Sequence, residues 1–154
     1  MFHINVQWIS DPRIAWFSIG IIGVWSVVGY NMILFLAGLQ DIPRDYYEAA
    51  QTDGASGVFT FFHITLPLLS PTIFFVLVTR VIGGMQVFDL IYMVEDRTSP
   101  ALKQTQSIVY LFYRYSFINQ NKGYGATIVI LLLVIVLIMT AVQMYLQKKW
   151  VFYS

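Results

Sequence analysis

The sequence contains no cysteine, which excludes a disulfide framework, a thiolate metal site and a cysteine nucleophile. Its two histidines, His3 and His63, lie on segments without another ligand-type residue at a metal-binding spacing. Charge is scarce as well. Lys, Arg, Asp and Glu make up 11% of the 154 residues, far below the roughly 25% of soluble domains. The formal net charge is +1 and no basic run is present to track phosphates, so nucleic acid is excluded as a partner. A Gly-x-x-x-x-Gly-Lys phosphate loop is missing, which places ATP hydrolysis elsewhere. No Ser, His and acid share a face suited to nucleophilic chemistry, and neither an internal repeat nor a low-complexity linker divides the chain.

What the sequence has is apolar surface: 58% of residues are hydrophobic and 17% aromatic. Ile14 to Gln40 runs without one charge, longer than the roughly 20 residues that cross a hydrocarbon core as a helix. It is too long for a signal peptide, is preceded by Asp11 as well as Arg13, and is closed by no small-residue cleavage pattern. A second apolar run, Leu66 to Val94, is interrupted by Pro71, Arg80 and Asp89, and a third, Ala126 to Leu146, is almost pure Ile, Leu and Val.

The expected fold class is therefore all-α integral membrane. Transmembrane helices are expected at 14–40, 68–94 and 124–147, with a polar helix-turn-helix loop at 41–67 and a second loop at 95–123 carrying a short interfacial or re-entrant helix. On that short helix Ile108, Val109, Leu111, Phe112, Tyr115 and Phe117 would form one apolar side. Close packing between spans falls to small residues, and Gly20, Gly23, Ser26, Gly29, Gly83 and Gly84 are available for it. Three spans make a thin bundle, so a partner is expected to complete any pathway.

The polar loop is the most informative stretch. Pro43, after Ile42, suits the first position of a helix reaching Asp53, because proline there loses no hydrogen bond and presets the backbone angle. Gly54 stands where a left-handed residue would end that helix, Ser56 can cap a second, and Pro67 with Ser70-Pro71 marks the approach to the next span. On the first helix Asp45, Glu48 and Thr52 share a polar side, while Ala49 and Ala50 present almost no bulk to a closely approaching surface. Asp41, Asp45, Glu48 and Asp53 stand against Arg44 alone, which favours a partner carrying Arg or Lys; the alternative is that these are solvated loop charges.

The pattern Glu48-Ala49-Ala50, Gly54, Ile64 and Leu66-Pro67 resembles the EAA loop of membrane permeases in binding-protein-dependent ABC importers. The flanking "NMILFLAGLQDIPRDYYEAAQTDGA" and "FFHITLPLLSPTIFF", with "QVFD" and "GYGATIVILL" further on, are similar to the carbohydrate-uptake branch, which includes maltose and glycerol-phosphate permeases. In that family the loop is cytoplasmic and its first helix docks into a cleft on the ATPase subunit. The resemblance implies an ATPase-coupling role for Glu48, Ala49, Ala50, Asp53, Gly54, Ile64, Leu66 and Pro67. It implies a permease that imports a sugar or sugar derivative, with no cofactor in this chain and ATP and Mg on a partner. The implied partners are ABC ATPase subunits, a second permease subunit, an extracytoplasmic solute-binding protein, the sugar and the lipid membrane. The implied location is the prokaryotic cell membrane, multi-pass, with the N-terminus outside and the C-terminus cytoplasmic.

The sequence departs from the family in two places. Such permeases usually have about twice this length, so the chain looks like a C-terminal half that expressed alone would insert but not transport. At "EDRTSP" the family commonly has a glycine-rich turn ending in proline, and only Pro100 keeps the match. Charge also opposes the implied orientation: Arg44, Lys148 and Lys149 would be inside, and Arg13, Arg97, Lys103, Arg114 and Lys122 outside, against the positive-inside rule. The motif outweighs this count because earlier spans set orientation. A non-transporting membrane assembly or scaffold protein that binds an ATPase through the same loop is the alternative function.

Arg80 and Asp89 lie in an apolar run, where an ionisable group is costly and faces a partner or cavity. On a continuous helix they point to opposite sides, with Arg80, Gly84 and Val87 on one and Gln86, Asp89 and Thr79 near the other. The substrate-pathway candidates are Ser26, Tyr30, Arg80, Gly84 and Gln86; helix-to-helix bonding is the alternative for Arg80 and Gln86, and ordinary packing for Ser26.

Overall fold

The computed structural model describes residues 8–94 and 99–151, which contain helices and turns and no strand. Part of the expected external loop, residues 95–98, lies outside the described residues, as do His3, Arg97 and the last three residues. In chain order the helices are α1 Ala15–Gln40, α2 Arg44–Thr52, α3 Gly57–Leu68, α4 Ser70–Met85, α5 Asp89–Val94, α6 Leu102–Thr105, α7 Ile108–Ile118 and α8 Lys122–Trp150. By length and composition α1 and α8 are able to cross a membrane, and α3 with α4, bent by 61° between them, form a third candidate span.

The expected span at 68–94 is not one helix. Helix formation begins at Gly57 and continues through Pro67, because the chain widens just before it: the Leu66 N–H reaches back five residues to the Phe61 carbonyl. Proline removes one N–H and its ring presses on the carbonyl four residues earlier, and a wide turn is the usual way a helix absorbs such a defect. The bend comes at Leu69. At the other end the helix stops at Met85, with the Gln86 N–H bonded to the Gly83 carbonyl at 3.1 Å. The adjacent Gly83 and Gly84 weaken this end by about 1 kcal/mol each relative to alanine. Asp89 then opens α5, where a carboxylate favours the exposed N–H groups. The break at 86–88 separates Arg80 and Asp89 onto different helices, so the opposite-sides expectation, built on a continuous helix, no longer applies.

The chain divides into two compact units, one of Met1–Val27 with Ile82–Ile138 and one of Val28–Val81 with Met139–Ser154. In the first, Ile91, Leu102 and Tyr110 are buried together, with Ile19, Val87 and Phe88 packed against them. The Phe88 ring lies 5.2 to 6.1 Å from the rings of Tyr92, Tyr110 and Tyr113, separations typical of favourable aromatic pairs. Ser107 caps α7 by accepting the Tyr110 N–H at 3.0 Å. Within this unit Tyr110 and Ser116 turn inward, whereas Phe117 is exposed. A second wide turn, in which the Asn119 N–H bonds the Arg114 carbonyl five residues back, shifts the helical phase of the residues beyond Arg114.

In the second unit α1 and α4 meet at Gly38, where any side chain would overlap Thr72 and press on Leu69. The Phe74 and Trp150 rings stand 6.1 Å apart. The two most tightly packed glycines are not among those named from sequence. Gly23 touches Leu90, but Gly20, Gly29, Gly83 and Gly84 have no atom within 4 Å of where a side chain would begin, while Gly38 and Gly125 are tightly covered.

Candidate coupling loop and pathway residues

Pro43 adopts φ −58° and ψ 138°, so it flanks the helix and α2 begins one residue later than expected, at Arg44. The inner side of α2 carries Tyr47 and Ala50. The Tyr47 hydroxyl lies 3.1 Å from that of Thr65, a buried residue on α3, and Ala50 is 7% exposed. Asp45, Glu48, Ala49 and Thr52 face outward. Of the two alanines expected to meet a partner, only Ala49 is exposed, because Ala50 falls one turn from Tyr47 on the inward face.

The turn matches its expected chemistry. Gly54 has φ +72°, a conformation that costs other residues about 1–2 kcal/mol. Its N–H bonds the Gln51 carbonyl at 3.0 Å and the Ala55 N–H bonds the Ala50 carbonyl at 2.9 Å, the two bonds of a Schellman ending. Ser56 then caps α3 by accepting the Phe59 N–H at 3.3 Å. Asp41, Arg44, Asp45, Glu48 and Asp53 are all exposed, Ile64 and Pro67 are half-buried, and Leu66 is exposed. The outward side of α3 was not expected. Val58, Phe59, Phe61 and Phe62 are exposed along it, and His63 stacks on Phe59 at 4.0 Å. The run "VFTFFH" was the available signal, since so many large apolar residues in one short helix cannot all turn inward.

Among the pathway candidates, the structure brings Arg80 to Tyr30: the guanidinium carbon sits 5.6 Å from the ring centroid, within cation–π range. Arg80 Nε is buried without a hydrogen-bond partner, and so are Asn31 Oδ1 and Gln143 Oε1. All three belong to the second unit. Asn31 and Gln143 were not singled out from sequence; the signal was an amide within an uncharged apolar run. Ser26, Gly84 and Gln86 belong to the first unit. The Ser26 hydroxyl bonds its own helix at the Gly23 carbonyl, 2.8 Å away. Gln86 is the polar member of a lining of Ile108, Val109, Phe112, Ile128, Val129 and Leu132 around a cavity of about 330 Å³.

Residues 1–151 match the family described as "Binding-protein-dependent transport system inner membrane component". The chain is 35% identical over 140 residues to the arabinooligosaccharides transport system permease protein AraP of Bacillus subtilis (strain 168), covering 91% of this chain and 44% of that one. It is 38% identical over 153 residues to the sn-glycerol-3-phosphate transport system permease protein UgpA of Brucella abortus biovar 1 (strain 9-941), covering 97% and 52%. Among solved structures it is similar to a chain of a bacterial ABC transporter involved in the import of the acidic polysaccharide alginate, with a TM-score of 0.80, 26% identity, and coverage of 94% of this chain and 50% of that one. The chain spans about half the length of the curated relatives it matches. Its sequence match, its all-helical architecture and its apolar candidate spans agree: the chain belongs to the family of binding-protein-dependent transport system inner membrane components.

Proposed function

We propose that this chain forms part of the permease subunit of an ABC importer for a sugar or sugar derivative, and that residues 41–67 transmit the motion of an ATPase to the spans. The observation that carries the reading is the loop itself. Its inner side is tied down by the Tyr47–Thr65 hydroxyl pair and buried Ala50, its turn is held by Gly54, and its acidic side with Ala49 is exposed. A rigid helix-turn-helix with a low-bulk acidic face suits insertion into a basic cleft. In this reading Glu48 and Ala49 touch the ATPase subunit, Asp53 adds to the acidic face, Gly54 sets the angle between the two helices, and Ala50, Ile64, Leu66 and Pro67 carry movement toward α4.

The loop and the C-terminus then lie on the cytoplasmic side and the N-terminus outside. ATP and Mg belong to the ATPase subunits, a second permease subunit completes the pathway, and a solute-binding protein delivers substrate. The sugar class is taken from the permeases of arabinooligosaccharides and sn-glycerol-3-phosphate that the chain resembles. The proteins it matches are transport permeases, which does not favour the scaffold alternative. Tyr30 and Arg80 are the pathway residues with the strongest support. Ser26, Gly84 and Gln86 are retained as secondary pathway candidates, although Ser26 already bonds its own helix.

In the assembled importer Glu48→Lys is expected to leave membrane insertion unchanged and to abolish substrate-stimulated ATP hydrolysis. Normal stimulation in that variant contradicts the coupling role.

A further inference from the structure

We propose that Arg80 reads a negative charge on the transported molecule, so that the substrate is a sugar bearing a carboxylate, sulfonate or phosphate group. The proposal rests on the pathway reading of Tyr30 and Arg80 given above and adds the chemistry of what passes.

Arginine cannot be neutralised by losing its proton, so a charge placed in an apolar span persists until something of opposite sign meets it. Among the described residues no carboxylate pairs with Arg80. Its contact is the face of Tyr30 at 5.6 Å, and its Nε is buried without an acceptor. An aromatic face offsets part of the charge but offers the guanidinium fork no acceptor. Carboxylates and phosphates fit that fork with two parallel hydrogen bonds.

Two further polar atoms of the same unit are also buried without a partner. Asn31, the residue after Tyr30, and Gln143 each bury an oxygen that lacks a donor. A carboxylate of a partner subunit is the competing source of the anion, and the test below separates it from the substrate. A charged sugar in the pathway supplies the missing acceptor, its oxyanion accepting from Arg80. Tyr30, 55% exposed, leaves apolar ring surface for the C–H face of a sugar.

The test uses the purified, assembled importer without nucleotide, titrated with galacturonate, galactose 6-phosphate and galactose while the thermal unfolding midpoint is followed. At least one charged sugar is expected to bind about tenfold or more tighter than galactose, the usual gain from a hydrogen bond to a charged group. The better of the two identifies the oxyanion. Arg80→Gln is expected to bring all three to parity, and Arg80→Lys to keep part of the preference, since it retains charge without the fork. Equal affinities in the unaltered importer overturn the charge proposal and leave the pathway reading standing. No binding by any of the three, together with an Arg80→Cys thiol inert to a water-soluble reagent, overturns both. Loss of the permease pairing in Arg80→Gln, with no charged-sugar preference in the unaltered importer, assigns the counter-ion to a partner carboxylate and overturns the proposal.

Discussion

The candidate coupling loop and the Tyr30–Arg80 region belong to one compact unit but treat their polar groups in opposite ways. Around Gly54 the exposed helix ends are closed locally: the Gly54 and Ala55 N–H groups find carbonyls, Ser56 caps α3, and the Tyr47 and Thr65 hydroxyls meet each other. At Asn31, Arg80 and Gln143 polar atoms are buried with no partner. The loop closes its own helix ends, which leaves its outer side chains free for a partner. Buried polar atoms without partners carry a cost that is recovered only when a partner reaches them. In the proposed reading, a partner touches the first region and substrate occupies the second.

Three changes would break or sharpen this contrast. The largest effect is expected at Arg80. Arg80→Leu removes an ionisable group whose insertion costs about 2.5–3.5 kcal/mol and loses a cation–π contact worth about 0.5–2 kcal/mol. Membrane insertion of the variant should therefore improve, by about 1–3 kcal/mol in an insertion assay, even as uptake falls. An Arg80→Leu chain that inserts less well would mean that Arg80 is satisfied after all.

Gly54→Ala should cost about 1–2 kcal/mol in thermal unfolding, because φ +72° is strained for alanine. Nothing lies within 4 Å of the added carbon, so the penalty is one of backbone alone, and Gly54→Asn should recover much of it. Equal penalties for alanine and asparagine would point to a steric cause instead. The smallest change is Ser56→Ala, expected to cost about 1 kcal/mol as the Phe59 N–H loses its acceptor. Amide exchange at the start of α3 should quicken while exchange in α2 stays as it was; faster exchange in both helices would show that they do not fold as separately closed elements.

Those elements were legible from sequence to the extent that their causes are local. Pro43, Gly54 and Ser56 act on their immediate neighbours, so spacing was enough to place a helix, a turn and a second helix, and uncharged runs were enough to place α1 and α8. The wide turns at Phe61–Thr65 and Arg114–Ile118 were not legible, because each depends on how a helix reconciles a local defect with the packing of its remainder. Which glycine lies at a helix contact depends on helix rotation, so Gly38 and Gly125 could not be told from Gly20 and Gly29. The meeting of Arg80 with Tyr30 joins residues far apart in sequence, and nothing in either helix's own pattern announces it. Asn31 and Gln143 carry no charge to mark them in an apolar run, although burial makes an orphan amide oxygen just as informative.

Docking of α2 on an ATPase is tested most directly by single cysteines, which the chain itself lacks. Ala49→Cys and Ala50→Cys differ by one position and by which way they face, the first exposed and the second buried. In membranes holding the assembled importer, a short thiol-to-amine cross-linker should join the chain to its ATPase subunit from position 49 and not from position 50. Equal cross-linking from both positions, or none from position 49 in an importer that still hydrolyses ATP in response to substrate, would contradict the docking face proposed for α2.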